Sequence, residues 1–326
     1  MAMTQRIPTV DLADYTAGDS ASRTKMIRTL GGSLQEFGFL NVEGHGIDRG
    51  LIRRTYDLWK RFFELPEETK RRYVVGVGGA RGFTPFGIEH AKGNTHPDLK
   101  EFWHVGQVPE AAEGLPPGHP ARAAADPYPP NVWPAEIPGL EAATRELYRR
   151  LEDCAAVLLE ALAEHFELPR ETFAAMMKNG NSILRVLHYP AVPGGVDPGS
   201  VRAAAHEDIN LITLLCEATD SGLEILTRDG TWLPVEAGEG QIVVDAGDML
   251  SRATNEVVPA TTHRVVNPPS GVARERYSMP FFVHPYSACP LDVMDRFVSP
   301  ENPARFPPIT AGAFLDERLR EIGLKK

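Results

Sequence analysis

The sequence predicts a mainly β protein with additional α-helices, in which a barrel or double-sheet jelly roll forms the core under a helical N-terminal layer. Three observations support this fold class. Apolar residues recur at helical spacing in the first half, seven short strand-like segments follow in the second half, and the 326 residues include 29 glycines and 28 prolines. Frequent glycine and proline suit many short strands and turns better than a helix bundle.

The helical layer is predicted from apolar periodicity. Apolar residues three and four positions apart share one face of a helix in segments 26–37, 51–63 and 140–165. The adjacent Gly31 and Gly32 weaken the first of these helices, because glycine is a poorer helix former than alanine. A short helix at 312–323 is expected to close the chain.

The region between the second and third helices, at about 74–138, is dense in glycine and proline. A connection of this length is usually either a functional loop or a disordered segment. Its aromatic residues, together with a strand-like stretch at 100–105, favour a folded segment that covers the site.

The β core is predicted from seven short segments that turn residues separate. These segments lie at 182–188, 209–216, 222–227, 232–235, 241–245, 263–266 and 277–283. We expect an N-terminal region at 1–138, made of the helical layer and the covering loops, and a jelly-roll region at 139–326. The two regions are expected to pack as one unit.

Composition excludes several functional classes. A net charge of −10 and a pI near 5.5 argue against a nucleic-acid partner. The first residues lack the apolar stretch of a signal peptide, and no run approaches the roughly 18 apolar residues of a membrane span. Cys154, Cys216 and Cys289 are far apart and odd in number, which is typical of buried thiols in a reducing compartment. We therefore expect a cytoplasmic monomer or small homo-oligomer without a membrane partner.

Histidines that lie two residues before an acidic residue are candidate metal ligands, although roughly 1.3 such pairs are expected by chance from ten histidines and 44 acidic residues. In a helix, residues two apart point about 200° away from each other, so His165 and Glu167 cannot share an ion. His96 and Asp98 flank a proline in a predicted loop, where nothing fixes their relative direction. The remaining pair is His206 and Asp208.

The pair His206 and Asp208 leads into a strand-like segment. Residues two apart in extended backbone project on the same face, so both side chains can reach one metal ion while Glu207 points away. A surface histidine beside an aspartate is the alternative for this pair taken alone.

A third ligand candidate, His263, lies at the start of another predicted strand. Two histidines and one carboxylate form the facial triad that suits non-haem Fe(II), and this triad leaves three coordination positions for substrate, cosubstrate and O2. A binding or structural protein with zinc in the same triad is a further alternative. That alternative requires a closed fourth ligand, and the sequence shows no suitably placed cysteine or histidine.

Arg276 and Ser278 also project on one face of a predicted strand. A guanidinium with a hydroxyl beside it can hold a carboxylate, since arginine binds carboxylates in a bidentate manner and serine adds a donor. For an isolated pair of this kind, a surface arginine that pairs with an acidic residue is the simpler interpretation.

The combination of His206-x-Asp208, His263 55 residues after Asp208, and Arg276-x-Ser278 resembles the Fe(II)- and 2-oxoglutarate-dependent oxygenases of the isopenicillin N synthase-like group. The resemblance covers most of the chain. Further matching motifs are IPTVDL at 7–12, FGFL at 37–40, GHGI at 44–47, FFELP at 62–66, GDML at 247–250, THRV at 262–265 and PPIT at 307–310.

The resemblance implies a distorted jelly-roll core in which His206, Asp208 and His263 bind iron. It also implies that Arg276 and Ser278 hold the distal carboxylate of 2-oxoglutarate, with Tyr189 as a further contact to this cosubstrate. The implied reaction consumes 2-oxoglutarate and O2, releases succinate and CO2, and hydroxylates, desaturates or cyclises a small-molecule substrate. His45 resembles a structural histidine of the N-terminal motif and not a ligand.

Two points depart from the family pattern or stay open. Many plant members have Asn and Tyr at the positions of Leu187 and His188 in this chain. A 2-oxoglutarate-independent Fe(II) oxidase, of the isopenicillin N synthase or aminocyclopropane carboxylate oxidase type, is the alternative function, and the Arg-x-Ser pair does not decide between the two.

Substrate contacts are predicted from polar and aromatic residues near the expected site, although core packing or surface exposure explains each of them equally well. They are Arg81, Phe83, Phe86, Phe102, His104, His188, Phe282 and His284, with Phe314 and Leu315 on the terminal helix.

Overall fold

Two β-sheets face each other in the computed structural model, which describes residues 6–75, 81–88, 98–107, 128–191, 201–267 and 274–321. Within these residues the larger sheet has eight strands and the smaller sheet has four. The helices of the N-terminal half, together with one long central helix, pack on the outer face of the larger sheet. None of the helices in the described residues is long and apolar enough to cross a bilayer.

The strands in chain order are β1 (Thr9–Asp11), β2 (Phe39–Glu43), β3 (Gly82–Thr84), β4 (Glu101–Gly106), β5 (Ile183–Tyr189), β6 (Ala203–His206), β7 (Ile212–Cys216), β8 (Leu223–Leu226), β9 (Trp232–Pro234), β10 (Ile242–Ala246), β11 (His263–Val265) and β12 (Arg276–Val283). The helices are α1 (Leu12–Thr16), α2 (Ser20–Phe37), α3 (Arg49–Phe63), α4 (Glu67–Arg71), α5 (Leu140–His165), α6 (Ala174–Met177), α7 (Asp248–Ala253) and α8 (Ala311–Glu321), with a 3-10 helix at Asp295–Phe297.

The strand order of the larger sheet is β1-β2-β10-β7-β12-β5-β4-β3, and that of the smaller sheet is β6-β11-β8-β9. β1 and β2 run parallel, and the other neighbouring pairs are antiparallel. Because side chains alternate between the faces of a strand, the larger sheet has an outer face toward the helices and an inner face toward the smaller sheet.

The two faces of the larger sheet belong to different cores. On the outer face, Trp103 of β4 packs against Trp59 of α3 with ring centroids 5.2 Å apart. On the inner face, Phe39 of β2 and Val243 of β10 pack with Ile225 of β8 across the space between the sheets. The functional residues described below line this inner space.

The predicted helices correspond to α2, α3, α5 and α8, and local interactions define their ends. The side chain of Asp19 accepts a hydrogen bond from the Ser22 amide at the start of α2, which satisfies a donor that lacks a partner within the helix. The same helix ends at Gly38, whose φ of 66° is a left-handed conformation that glycine adopts without strain. Asp48 caps α3 in the same way as Asp19 caps α2.

The structure corrects three local predictions. The N-terminal layer is not only helical, since β1 and β2 extend the larger sheet through β10. The strand predicted at 209–216 begins only at Ile212. A helix, α7, occupies the stretch after β10 where only a turn is predicted. Short apolar runs such as the buried β2 carry no clear alternation, so periodicity alone does not assign them.

The glycine pair inside α2 gives a test of helix packing. A Cβ atom on Gly31 would lie 2.1 Å from Cγ of His165 on α5, whereas a Cβ atom on Gly32 would have nothing within 4 Å. We expect Gly32→Ala to raise the free energy of unfolding by about 0.5–1 kcal/mol through helix propensity. We expect Gly31→Ala to lower it by about 1–3 kcal/mol through overpacking.

Urea denaturation of the two variants measures both effects, and each variant serves as the control for the other. The His165 ring must leave its present place in Gly31→Ala, with loss of the 2.9 Å contact between its Nε2 and Oε1 of Gln35. Equal stabilisation by both substitutions would contradict this packing of α2 against α5.

Candidate iron and cosubstrate site

Two strands of the smaller sheet bring the three predicted metal ligands together. His206 is the last residue of β6, His263 is the first residue of β11, and the two are cross-strand partners. Asp208 lies in the loop that follows β6, so its position depends on this loop and not on a continuous strand. One ligand atom from each residue lies within 4.8 Å of the others, and Nε2 of each histidine is 3.8 Å from Oδ1 of Asp208.

Backbone carbonyls orient both imidazoles. Nδ1 of His206 lies 2.7 Å from the carbonyl oxygen of Ala204, and Nδ1 of His263 lies 3.2 Å from that of Thr261. A carbonyl oxygen only accepts hydrogen bonds, so each Nδ1 carries the proton and each Nε2 keeps a lone pair for a metal ion. The Thr213 hydroxyl donates to Oδ2 of Asp208, and Oδ1 is the oxygen nearest to both histidines.

The electrostatic environment keeps these groups in the protonation states that metal binding needs. Desolvation inside the site and the neighbouring His263 ring lower the pKa of His206 to about 4, although part of this side chain stays open to solvent. Burial acts to raise the pKa of Asp208, but the two imidazoles and Thr213 outweigh it and hold this pKa below its usual value. Burial and the adjacent Asp208 raise the pKa of Asp245 on β10 well above its usual value. Two neutral imidazoles and one carboxylate are the donor set that suits non-haem Fe(II).

The predicted carboxylate clamp lies on the inner face of the larger sheet. Arg276 and Ser278 on β12 are each only 1% exposed, and Nη1 of Arg276 donates to Oγ of Ser278 over 3.1 Å. Nε of Arg276 donates to the carbonyl oxygen of Asp220, which fixes the guanidinium plane. Tyr189 of β5 is the cross-strand partner of Arg276, and its ring centroid lies 5.0 Å from Cζ of the arginine. A buried guanidinium, a hydroxyl and a phenol ring therefore line one end of the inner space.

Comparisons with known proteins identify the family. Residues 7–136 match the model for the N-terminal region of the non-haem dioxygenases in morphine synthesis, and residues 180–285 match the model for the 2OG-Fe(II) oxygenase superfamily. A 2-oxoglutarate-Fe(II) type oxidoreductase of Emericella nidulans is 32% identical over 98% of this chain and 92% of its own length. The chain belongs to the 2OG-Fe(II) oxygenase superfamily. Fe(II), 2-oxoglutarate and O2 are therefore the cofactor and cosubstrates of this oxygenase, as predicted.

Solved structures share the fold of this oxygenase along nearly the whole chain. A 2OG-Fe(II) oxygenase family protein from Caulobacter crescentus is 44% identical, with a TM-score of 0.83 over 98% of this chain and all of that one. A full-length Neurospora crassa protein, solved in complex with alpha-KG and thymine, is 27% identical, with a TM-score of 0.84 over 98% of each chain. These structures confirm the predicted jelly-roll fold class.

Four of the predicted substrate contacts lie on strand positions of the inner face or directly after them. Phe102 and His104 of β4 have ring centroids 4.9 Å apart, and Phe282 of β12 is the cross-strand partner of Thr213. His284 follows β12, and burial lowers its pKa to about 4.

Two other predicted contacts, Phe83 and His188, lie on the outer face and pack in the helix-side core. Phe83 packs edge-on against Phe62 with centroids 5.8 Å apart. His188 stacks on Tyr277 at 4.6 Å, and its Nδ1 lies 2.8 Å from Oε1 of Glu101. A side chain on this face points away from the iron ligands, so we withdraw both residues from the substrate contacts.

The remaining predicted contacts lie in other environments. Arg81 is buried against the backbone of Gly106, and this burial lowers its pKa. Phe86 is 44% exposed. Phe314 of α8 packs under the guanidinium of Arg252, and Leu315 is half-buried beside the helix-side core. None of these contacts within the described part of the chain reaches the iron ligands.

Sequence reasoning missed an arginine on the inner face. Arg185 on β5 donates from Nε to Nε2 of His104 over 2.6 Å, and its charge acts to lower the pKa of Asp208. Its cross-strand partner on β4 is His104. The signal was present in the sequence, because Arg185 precedes Tyr189 by an even number of residues and must share its face in a regular strand.

A buried ion pair beside His206 was also missed. Nζ of Lys100 lies 2.9 Å from Oδ2 of Asp98, and the two side chains are 7% and 5% exposed. Oδ1 of Asp98 accepts a hydrogen bond from the amide of Ala204, so the pair anchors β6 directly before the metal ligand. Asp98 thus has a local structural role, whereas its neighbour His96 lies outside the described residues.

His45 has the structural role that its motif implies. Its Nε2 lies 2.9 Å from the carbonyl oxygen of Gly240, and its Nδ1 accepts a hydrogen bond from the amide of Ile47. Both nitrogens are therefore engaged with backbone groups of the loops beside β2 and β10.

The outer-face network around His188 predicts a large stability effect. Nζ of Lys70 lies 2.7 Å from Oε2 of Glu101, and these side chains are 9% and 4% exposed. We expect Glu101→Ala to lower the free energy of unfolding by about 3–5 kcal/mol, because the ammonium of Lys70 would be left buried without its nearest counter-charge.

Thermal unfolding of Glu101→Ala and Glu67→Ala measures this effect with a matched control. Glu67 also lies 3.3 Å from Nζ of Lys70 but is 49% exposed, so its loss should cost less than about 1 kcal/mol. Similar unfolding temperatures for the two variants would show that burial does not distinguish these ion pairs.

Proposed function

We propose that this oxygenase oxidises a C–H bond of a small molecule with Fe(II) held by His206, Asp208 and His263. In this proposal Arg276 and Ser278 hold the distal carboxylate of 2-oxoglutarate. The observation that carries the proposal is the convergence of the triad from the smaller sheet and a buried Arg-Ser pair from the facing sheet on one inner space.

The chemistry supplied by iron and 2-oxoglutarate is the oxidation of R–H with O2 to R–OH, succinate and CO2. The residues of the chain bind the iron and the cosubstrate and orient the groups that hold them. Ala204 and Thr261 keep the histidines in the tautomer that ligates through Nε2, and Thr213 holds Asp208. Arg276 neutralises the cosubstrate carboxylate away from water, since its side chain is almost fully buried.

Apolar residues between the clamp and the rest of the inner wall support the exclusion of water. Phe102, Leu187 and Tyr189 form a buried cluster on the inner faces of β4 and β5. Charge-assisted hydrogen bonds are stronger in such surroundings than in water, so the cluster favours binding of the cosubstrate carboxylate.

We favour hydroxylation as the outcome and the cytoplasm as the compartment. Thymine in the Neurospora crassa structure supports a substrate of similar size.

The three cysteines are free and buried, which is consistent with a reducing compartment. The net charge of −10 argues against a nucleic-acid partner, and we propose a monomer or small homo-oligomer. Pairing of β2 with β10 supports action of regions 1–138 and 139–326 as one unit.

Succinate formation tests the proposal. Purified protein is supplied with Fe(II), 2-oxoglutarate and O2, and succinate is measured with and without a library of small metabolites. We expect a slow background reaction that a subset of metabolites accelerates. O2 consumption that needs Fe(II) but not 2-oxoglutarate would favour the isopenicillin N synthase type, and absence of succinate in every mixture would refute the proposal.

A further inference from the structure

His284 is a histidine on the inner face that does not belong to the iron triad. It directly follows β12 and lies an even number of residues after Arg276 and Ser278, so the alternation of the strand gives it the same face. In the described part of the chain, the ligand atoms that come together within 4.8 Å belong to the triad and not to His284. Its imidazole is therefore available for a role other than metal ligation.

The backbone of His284 is fixed by its neighbours. Pro285 follows it, and a residue before a proline favours extended backbone. Its amide donates to Oγ of Ser182 over 3.2 Å, and Ser182 is fully buried. A Cβ atom on Gly180 would lie 1.9 Å from the carbonyl oxygen of His284, so only glycine allows this close approach. The side chain is thus oriented before any ligand binds.

The two ring nitrogens of His284 have different environments. Nδ1 lies 3.3 Å from the carbonyl oxygen of Phe282. Because a carbonyl oxygen only accepts hydrogen bonds, Nδ1 carries the proton and Nε2 keeps a lone pair. No group of the described residues bonds to Nε2, and this atom is not sealed off from solvent. A ligand in the inner space can therefore reach the lone pair.

Contacts between strands place His284 beside the loop that carries Asp208. The amide of Leu211, which follows this loop, donates to the carbonyl oxygen of Val283 over 2.9 Å. Burial lowers the pKa of His284 and the charge of Asp208 acts against this shift, so the carboxylate is close to the ring. The cosubstrate clamp lies at the start of β12. A molecule at His284 is therefore near the metal-ligand loop and at the opposite end of β12 from the cosubstrate.

The chemistry of the open nitrogen defines what it can bind. A neutral imidazole with its proton on Nδ1 is only an acceptor at Nε2. An imidazole of ordinary pKa is neutral at about pH 8, and burial favours the neutral form of His284 further. The matching ligand groups are N–H and O–H donors, whereas ether and carboxylate oxygens also only accept.

We propose that Nε2 of His284 accepts a hydrogen bond from the substrate, so that this oxygenase acts on a small molecule with an N–H or O–H donor. The inference rests on the proposed function and adds the substrate class. The half-buried ring of Phe282 offers apolar surface to the carbon skeleton beside the donor. A compound without a donor leaves Nε2 desolvated and without a partner, so it binds more weakly.

The tautomer of His284 is the first test. Long-range proton–nitrogen NMR of the Zn(II)-loaded protein at about pH 8 distinguishes protonated from unprotonated ring nitrogens. The signals of His284 are those that disappear in His284→Phe. We expect the proton on Nδ1. A proton on Nε2 would overturn the inference, because this nitrogen would then be a donor.

Binding of isosteric probes tests recognition without turnover. The pairs are phenol with fluorobenzene and indole with benzofuran, and only the first member of each pair carries a donor. Saturation-transfer NMR measures their affinity for the Zn(II)-loaded protein, with saturating N-oxalylglycine in the cosubstrate clamp. We expect at least one donor probe to bind roughly 3- to 10-fold more tightly than its partner. Absence of this preference in both pairs, whether all probes bind equally or none binds, would overturn the inference.

Three variants assign the preference to His284. His284→Phe keeps a ring but removes the acceptor, so the preference should disappear. His284→Gln offers an amide oxygen near the position of Nε2 and should keep part of it. His45→Phe makes the same exchange at a histidine that bonds to Gly240 and Ile47, and it should bind the probes as the unmodified chain does.

A donor preference that a folded His284→Phe variant keeps would also contradict the inference, and thermal unfolding checks the fold. The tautomer and the probe affinities of the unmodified chain do not depend on whether this variant folds. Each negative result leaves the proposed function intact if 2-oxoglutarate is still converted to succinate. A donor preference without any succinate formation would refute the proposed function alone.

Discussion

Replacement of His206 by alanine is expected to abolish Fe(II) binding and succinate formation while the chain remains folded. Its imidazole is one of three protein ligands, and loss of an outer partner alone already costs roughly 10- to 100-fold in metal affinity in comparable sites. We therefore expect a loss of iron affinity of more than about 100-fold. The side chain is 39% exposed, so its truncation leaves no sealed cavity in the core.

Iron content after reconstitution and dialysis measures the effect, and thermal unfolding of the metal-free protein checks the fold. His45→Ala is the matched control, because His45 bonds only to backbone groups near Gly240 and Ile47 among the described residues. Full iron occupancy in His206→Ala would refute the triad. Equal iron loss in His45→Ala would show that the deficit is general and not due to a missing ligand.

The identity of the triad could be predicted because strand geometry is local. Two-residue periodicity gives His206 and Asp208 a common direction without any knowledge of the fold. The actual geometry is less regular, since β6 ends at His206 and Asp208 lies in a loop. What holds Asp208 is the hydroxyl of Thr213 on another strand, and a contact of this kind depends on tertiary packing.

The predicted substrate contacts show which features of the site the sequence alone does not determine. Alternation predicts that Phe102 and His104 share a face, but it does not tell which face is the inner one. Phe83 and His188 are on the outer face because α3 and α4 cover that side, a fact of helix packing that no local pattern encodes. Alternation places Arg185 on the face of Tyr189, but it does not tell which side chains of the neighbouring strands surround the guanidinium.

Replacement of Arg276 by glutamine is expected to raise the apparent KM for 2-oxoglutarate by about 10- to 100-fold and to leave iron bound. A hydrogen bond to a charged group contributes about 1.5–3 kcal/mol, and glutamine removes the charge that the cosubstrate carboxylate needs. Arg276→Lys restores the charge without the bidentate geometry, so its KM should lie between those of the other two proteins. Titration of 2-oxoglutarate against succinate formation gives all three values.

A cosubstrate that lacks the distal carboxylate separates charge recognition from a general defect. The unmodified chain should strongly prefer 2-oxoglutarate to 2-oxopentanoate, which has the same carbon chain but ends in a methyl group. In Arg276→Gln this preference should largely disappear, because glutamine offers no charge to the carboxylate. If the preference survived, Arg276 would not be the residue that reads the distal carboxylate. The guanidinium would then serve only the carbonyl of Asp220 and the hydroxyl of Ser278, the two groups to which it already donates.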